Sequence, residues 1–170
     1  MPSPNTVVQT IEMKKLLPVF GFFLCVLVGT SQTLTLSDTT FKAGGILTSR
    51  NMLFDFDKAT FRPETYPYLD SIIVFLLKNK GLVIEVGNHV DTRWTPIYSS
   101  CLSCNRAKAI VEYFISKGIP PTRMISKGYN DSKPLIPESQ INKMKSKEEV
   151  EKAHQVNRRT EFKILQTDHK

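Results

Sequence analysis

The run LVIEVGNHV, residues 82–90, is the segment that most constrains the fold of this chain. It is rich in β-branched residues and lies between turn signals, which predicts a strand. A helix is predicted over 99–117, because its apolar residues recur at helical spacing and Gly118 and two prolines end it. A short strand is predicted over 123–129. A helix between two parallel strands must cross over with a right hand, so these elements predict a β-α-β unit.

Further elements are predicted on both sides of this unit. Apolar and acidic residues alternate in MLFDFD, residues 52–57, which predicts a strand with one polar face, and a short strand is also expected near 45–47. Pro63 opens a helix. The segment 130–156 is predicted as a long connection with a helical turn or two, and RTEFKIL, residues 159–165, as the last strand.

The predicted order is therefore β-α-β-α-β-β. Two helices can cover one face of the sheet formed by these strands. The sequence thus predicts an α/β (α+β) two-layer sandwich, with a mixed sheet and its helices on one face.

Length and charge limit the classes of function. The chain has 170 residues, enough for one domain with a single core, and a net charge of +7. Nucleic-acid binders usually carry a basic stripe with interleaved aromatic residues, whereas here both signs of charge are mixed. Even the densest basic stretch, residues 143–152, contains three glutamates, which favours a solvated surface. We expect no nucleic-acid partner.

The N-terminus resembles a secretory signal peptide. Lys14 and Lys15 precede an apolar run over 16–28, which small residues follow. The run is shorter than the roughly 20 residues that a transmembrane helix needs. We predict a signal peptide over residues 1–31, with Met13 as an alternative start, and hence a protein secreted to the periplasm.

The motif CLSC, with Cys101 and Cys104, is typical of two kinds of chemistry. A thioredoxin-type redox pair would open the helix directly after its strand, whereas ten residues separate Val90 from Cys101. A metal site would need two further ligands, and only His89 lies nearby in sequence. An incidental pair, reduced or oxidised, is therefore favoured over both.

The sequence also lacks the usual patterns of catalysis. It contains no glycine-rich phosphate loop, no G-x-S-x-G motif and no visible nucleophile–base pair. Asp55 and Asp57 form a carboxylate pair on the predicted first strand, for which a solvated edge is the favoured interpretation. We predict that the protein is not an enzyme and uses no cofactor.

Asp91, at the end of the predicted strand, and Arg106, early in the following helix, are fifteen residues apart. Two interpretations are open. An arbitrary pair of this kind is more often a structural salt bridge that contributes little. A carboxylate and a guanidinium that open onto one cleft could instead bind a small zwitterion.

Several segments together resemble a known family. FDFDKATFRPE, VGNHVDTR, LSCNRAKAIVEYFISKGI, SKGYND and NRRTEF match, in order and spacing, the OmpA C-terminal (OmpA/MotB-like) peptidoglycan-binding domain, in a version similar to those of Bacteroidetes. The resemblance covers residues 46–165. It leaves a lead-in over 32–45 and a tail over 166–170, and it implies the same β-α-β-α-β-β order.

The resemblance implies a function and a site. Members of the family bind peptidoglycan through the diaminopimelate of the stem peptide, with an aspartate that falls on Asp91 and an arginine that falls on Arg106. Where the family commonly has threonine and asparagine, this chain has Val90 and Ser99. The arginines of the family's N-R-R motif fall on Arg158 and Arg159. The predicted ligand-binding residues are Asp91, Arg106, Val90, Ser99, Asp55 and Arg159.

The expected role is therefore non-catalytic. The domain would bind peptidoglycan in the periplasm and tether or organise the cell envelope, with an outer-membrane or envelope-complex protein as a further partner. The alternative is a protein–protein interaction module of an envelope assembly, with a degenerate ligand cleft.

Overall fold

The computed structural model describes residues 42–49, 53–93 and 96–167, apart from four side chains near the start of the second helix. Four strands form the sheet: β1 (Ile46–Ser49), β2 (Val83–His89), β3 (Met124–Asn130) and β4 (Arg159–Gln166). The helices are α1 (Tyr66–Lys78), α2 (Pro96–Ser116), α3 (Glu138–Ile141) and α4 (Lys147–Asn157), and short 3₁₀ turns precede α1 and β3. The predicted α/β sandwich with a mixed sheet is confirmed, and the structure adds α3 and α4 between β3 and β4.

The strands lie in the order β1-β4-β2-β3. β2 pairs parallel to β3 and antiparallel to β4, and β1 pairs antiparallel to β4. The sheet is therefore mixed, and β2 is one of its two central strands. The predicted right-handed unit corresponds to β2, α2 and β3, in which α2 supplies the crossover that a parallel pair requires.

The core lies between the helices and the sheet. α1 buries Leu69, Ile72, Ile73 and Leu76, which recur at helical spacing. α2 contributes Ile110 and Phe114, and the Phe114 ring stacks on Phe162 of β4 with 6.1 Å between ring centroids. The apolar residues predicted at helical spacing in the second helix thus pack against the core.

The predicted first strand is wrong. Among the described residues 53–57, only Phe54 has a strand-type partner, an isolated bridge to Phe61, and the chain then turns through Asp57 at φ 63°. The alternation of apolar and acidic residues arises in a folded loop rather than in a strand, so Asp55 and Asp57 do not share a strand face. The first strand of the sheet is β1, near the short strand that was expected around 45–47.

The connection before β4 contains more structure than a helical turn or two. Ser146 caps α4, since its hydroxyl accepts from the Glu149 amide and the Glu149 carboxylate accepts from the Ser146 amide. At the other end of α4, the Asn157 side chain accepts from the amides of Leu135 and Ile136, each at 2.9 Å. These contacts fix the end of α4 against the loop, and so fix the point at which β4 starts.

None of the helices in the described ranges has the length and apolar character that crossing a membrane requires. The predicted signal peptide, residues 1–31, lies outside the described residues and stays a prediction.

Gly128 allows β3 to approach α2 closely. A Cβ atom built at this position would lie 2.5 Å from the Cys104 amide nitrogen and 2.6 Å from the Ser103 hydroxyl oxygen. Ser103 is fully buried and accepts a hydrogen bond from the Asn130 amide at the end of β3. The missing side chain at Gly128 therefore sets the spacing between β3 and the segment of α2 that leads to Arg106.

We expect Gly128→Ala to lower the free energy of unfolding by about 1–3 kcal/mol, because the added methyl group meets backbone as well as side-chain atoms. Urea denaturation followed by circular dichroism measures the change. Ser126→Ala, at an exposed position of the same strand, is the matched control and should stay within about 0.5 kcal/mol of wild type. Equal stability of the two variants would contradict the close approach.

Candidate functional site

A cleft of about 410 Å³ opens at the carboxyl end of β2. Its walls come from the loop after β1, the end of β2, the first half of α2, and the junction of α4 with β4. The charged side chains that line it are Asp55, Asp57, Arg62, Asp91, Arg93, Arg106, Glu151, Arg158 and Arg159. Five arginines and four carboxylates thus surround one cavity.

Asp91 lies at the inner end of this cleft, and its side chain has no exposed surface. Arg93 donates from Nη2 to Oδ2 at 2.7 Å, from Nε to Oδ2 at 3.2 Å and from its backbone amide to Oδ1 at 3.2 Å. Arg158 donates from Nη1 to Oδ2 at 2.5 Å. The buried charge is therefore compensated by two guanidinium groups and one amide.

These contacts determine the protonation of Asp91. Burial alone would raise its pKa, since it disfavours the charged form. The hydrogen bonds from Arg93 and Arg158 outweigh that effect, so the pKa of Asp91 is lowered from its ordinary value. The group is a carboxylate at neutral pH.

Glu151 of α4 completes a ring of charges. It accepts from Arg93 Nη1 at 2.9 Å and from Arg158 Nη2 at 2.6 Å. The pKa of Glu151 is lowered from its ordinary value, mainly by the hydrogen bond from Arg158, and the charge of Arg93 adds to this effect. Two carboxylates and two guanidinium groups thus alternate around the ring, which connects the end of β2 to α4.

Arg106 lies on a different wall of the cleft. Its Nε donates to the Lys58 carbonyl at 2.9 Å, and its guanidinium lies 4.7 Å from the centre of the Phe54 ring. Burial lowers the pKa of Arg106, partly offset by nearby negative groups that include Asp57 and Asp91. An arginine stays protonated in proteins, so the group is a half-buried cation.

The loop that carries the Lys58 carbonyl is itself fixed. Its backbone bonds run from the Asp55 amide to the Thr60 carbonyl at 2.9 Å and from the Lys58 amide to the Asp55 carbonyl at 3.1 Å. The Tyr98 hydroxyl of α2 also donates to the Asp57 carboxylate. The loop and α2 therefore hold each other, and the position of Arg106 depends on both.

The structure brings Asp91 and Arg106 to one cleft without a direct hydrogen bond or ion pair between these two side chains. The salt bridges of Asp91 are made instead with Arg93 and Arg158. The structural salt bridge, one of the two interpretations left open for Asp91 and Arg106, is therefore made by Asp91 with Arg93 and Arg158 instead. Arg106 is held by a carbonyl and an aromatic ring.

The other predicted residues lie at different depths. Val90 is buried and donates its amide to the Asn130 carbonyl at 3.1 Å, while Asp55 lines the cleft 3.9 Å from the Arg62 guanidinium. Arg159 also lines the cleft, but its guanidinium is bound by Glu161 at 2.7 Å and by two backbone carbonyls. Ser99 belongs to α2, and its side chain lies outside the described part of the chain.

Five charged residues that line the cleft were not among the predicted site residues: Asp57, Arg62, and the three that form the ring with Asp91, which are Arg93, Arg158 and Glu151. Arg93 stands two residues after Asp91, and Arg158 is the first arginine of the N-R-R motif, so both had a local signal. Glu151 had none, because its role depends on where α4 packs. The sequence did not distinguish Arg158 from Arg159, and the structure places Arg158 against Asp91.

The two alternative chemistries gain no support from the described residues. Cys101 and Cys104 are both free thiols, exposed on α2. No cluster of three or more His, Cys, Asp or Glu side chains suited to a metal ion occurs in the described ranges. His89 stacks on the Tyr129 ring at 4.8 Å, with its Nε2 3.4 Å from a Glu161 carboxylate oxygen, which is a structural environment.

The described residues thus form an α/β sandwich domain with a charged cleft at the end of a central strand. The OmpA family model matches residues 53–148, more than half of the chain. The chain therefore belongs to the OmpA family. The matched range contains both Asp91 and Arg106.

Individual relatives agree with this assignment. Outer membrane protein A of Escherichia coli O157:H7 is 35% identical over 88 residues, which cover 50% of this chain and 25% of that protein. The structure of the cell wall anchor of the T6SS from Pseudomonas aeruginosa is 27% identical, with a TM-score of 0.57 over 71% of this chain and 80% of that chain.

The periplasmic domain of Helicobacter pylori MotB has the same fold, with a TM-score of 0.55 and 22% identity over 73% of this chain and 83% of that chain. The chain spans 11% to 36% of the length of the first curated relatives that it matches. The likeness to those proteins therefore concerns one part of each.

The lowered pKa of Asp91 predicts a pH-dependent contribution to stability. A carboxyl group whose pKa is lower in the folded chain than in the unfolded chain stabilises the fold above its unfolded pKa, which is about 4. This contribution is lost as the pH falls through the folded pKa. We expect Asp91→Asn to lower the free energy of unfolding by about 1–3 kcal/mol at pH 7, because the buried side chain at this position loses its charge-assisted hydrogen bonds from Arg93 and Arg158.

Urea denaturation at several pH values between 7 and 3 tests this expectation. The difference between wild type and Asp91→Asn should shrink below pH 4. Glu112→Gln removes a carboxylate from an exposed pair with Lys108, 3.6 Å apart, and serves as the control with a small effect at every pH. A difference for Asp91→Asn that is constant with pH would contradict the assigned ionisation.

Proposed function

We propose that this chain is a non-catalytic domain that binds peptidoglycan through the diaminopimelate of the stem peptide, and thereby tethers or organises the cell envelope. The observation that carries the proposal is the placement of Asp91 and Arg106 on separate walls of one cleft. Membership of the OmpA family supports it, as does the similarity to a structure described as a cell wall anchor.

The chemistry of diaminopimelate fits the two charges. Its distal carbon carries an ammonium and a carboxylate. Asp91 would accept from the ammonium, and Arg106 would donate to the carboxylate in a charge-assisted hydrogen bond. Lysine at the same position of a stem peptide has the ammonium but no distal carboxylate, so Arg106 would be left half-buried without its ionic partner.

The proposal extends to location. A secreted domain that binds the wall would act in the periplasm, next to the outer membrane. The predicted signal peptide and the outer-membrane relatives support this location. A partner in an outer-membrane or envelope complex would connect the bound wall to the rest of the envelope.

A second candidate is a protein–protein module of an envelope assembly. It is favoured by one observation: Asp91 has no exposed surface, because Arg93 and Arg158 already bind its carboxylate. A cleft whose anion is permanently held within the domain would be degenerate as a ligand site. Binding to the wall decides between the two candidates.

We expect the secreted domain to sediment with purified diaminopimelate-type sacculi and to sediment less with lysine-type sacculi. Asp91→Ala and Arg106→Ala should each weaken binding about tenfold or more, since each removes a charge-assisted contact to the ligand. Glu112→Ala, an exposed change on the far part of α2, is the control that should bind as wild type does.

Two other sedimentation results would contradict the proposal. If wild type and both cleft variants, each shown to be folded by circular dichroism, sediment to the same extent, the cleft does not bind the wall. Absence of binding by the folded wild type would favour the protein–protein module.

A further inference from the structure

The Asp91 carboxylate is already occupied. Arg93 and Arg158 share its Oδ2 atom, the Arg93 amide binds Oδ1, and the side chain is fully enclosed. An ammonium group that enters the cleft therefore cannot reach this carboxylate while both arginines are in place. At least one guanidinium group has to leave before a ligand ammonium can bind.

The two arginines differ in how firmly they are held. Arg158 follows α4 directly, has 25% of its side chain exposed, and also donates to Gln155 and Glu151. Arg93 lies in the loop after β2 with 48% of its side chain exposed, and beyond its bonds to Asp91 it contacts Glu151. Arg93 is thus the more loosely held of the two.

We propose that Arg93 is a specificity-determining residue that competes with the ammonium of the ligand for Asp91. This inference rests on the proposed function of the same cleft. The guanidinium of Arg93 is an internal substitute for the ligand cation, and binding exchanges one cation for the other while Arg158 stays on the carboxylate.

Glu151 gives the displaced guanidinium a place to remain. Arg93 Nη1 lies 2.9 Å from Glu151 Oε2, so rotation away from Asp91 does not require the loss of that ion pair. The total charge of the cleft changes only by the charge of the ligand. Exchange is therefore feasible, but it reduces the net affinity that the ammonium contributes.

The exchange has a consequence for selectivity. Arg106 is held by the Lys58 carbonyl and the Phe54 ring, and neither of these contacts is a carboxylate that could take the place of the ligand carboxylate. The carboxylate of the ligand then contributes more to the affinity than its ammonium does. Arg93 shifts recognition towards ligands that carry a distal carboxylate.

The test compares two stem tetrapeptides by isothermal titration calorimetry. One carries meso-diaminopimelate at its third position, and the other carries 2-aminopimelate, which keeps the distal carboxylate and lacks the distal ammonium. Arg93→Ala should bind the diaminopimelate peptide about threefold to tenfold more tightly than wild type does. Its affinity for the aminopimelate peptide should be unchanged, because that peptide has no ammonium to compete.

Two further variants make the result specific. Arg93→Lys keeps a cation near Asp91 and should fall between wild type and Arg93→Ala. Lys143→Ala removes one exposed positive charge away from the cleft and should leave both affinities unchanged, which controls for net charge. Circular dichroism confirms that each variant is folded.

The outcomes separate the two proposals. Wild type that binds the diaminopimelate peptide, with equal or weaker binding by Arg93→Ala, would overturn the competition while the proposed function stands. Equal gains for both peptides would also overturn it, since the ammonium would not be involved. Binding of neither peptide by wild type and by Arg93→Ala would overturn the proposed function and this inference with it.

Discussion

The parallel pairing of β2 with β3 is the constraint on which the rest of the structure depends. A parallel pair needs a crossover, and α2 supplies it by leaving the carboxyl end of β2 and returning across the face of the sheet. This geometry brings Arg106 back over the edge where β2 ends. On the other side of β2, His89 pairs with Arg159 at the start of the antiparallel strand β4. The same edge therefore receives Asp91 from one chain segment and Arg158 from another.

The burial of Asp91 turns this topology into an electrostatic requirement. A carboxylate without exposed surface is costly unless charged hydrogen bonds compensate it. Arg93, two residues along the chain, and Arg158, between α4 and β4, meet that requirement, and Glu151 then balances their charge. The Asp91 carboxylate thus holds together the end of β2, the following loop and α4. Under the proposed function, stability and ligand binding would compete for this one group.

The sequence predicted most of the fold, because its helices and central strands have regular apolar patterns. It failed at the first strand, where MLFDFD alternates as a strand does, but its described residues 53–57 have one bridge partner, Phe61. Pairing partners are distant in the chain, so a local pattern could not show that Ile46–Ser49 would lie beside β4 instead. At the site, Asp91 and Arg106 were found from motif positions, whereas Glu151 could not be. Its contribution depends on the angle at which α4 meets β4, which Asn157 and the loop before α3 determine.

Arg106 and Asp91, the two charges that the proposed function assigns to ligand binding, are held in different ways, and this difference bears on the selectivity that the proposal predicts. Arg106 is held in place before any ligand arrives, by a carbonyl and an aromatic ring that make no ion pair with it. A group held in this way loses little conformational freedom on binding, which favours affinity. Asp91 is equally well held, but by two guanidinium groups. Under the proposed exchange, Arg93 gives way to the ligand ammonium while Arg158 stays. A cleft with one available cation and one occupied anion would then distinguish its ligands mainly by their carboxylates, and the distal carboxylate is the group by which diaminopimelate differs from lysine.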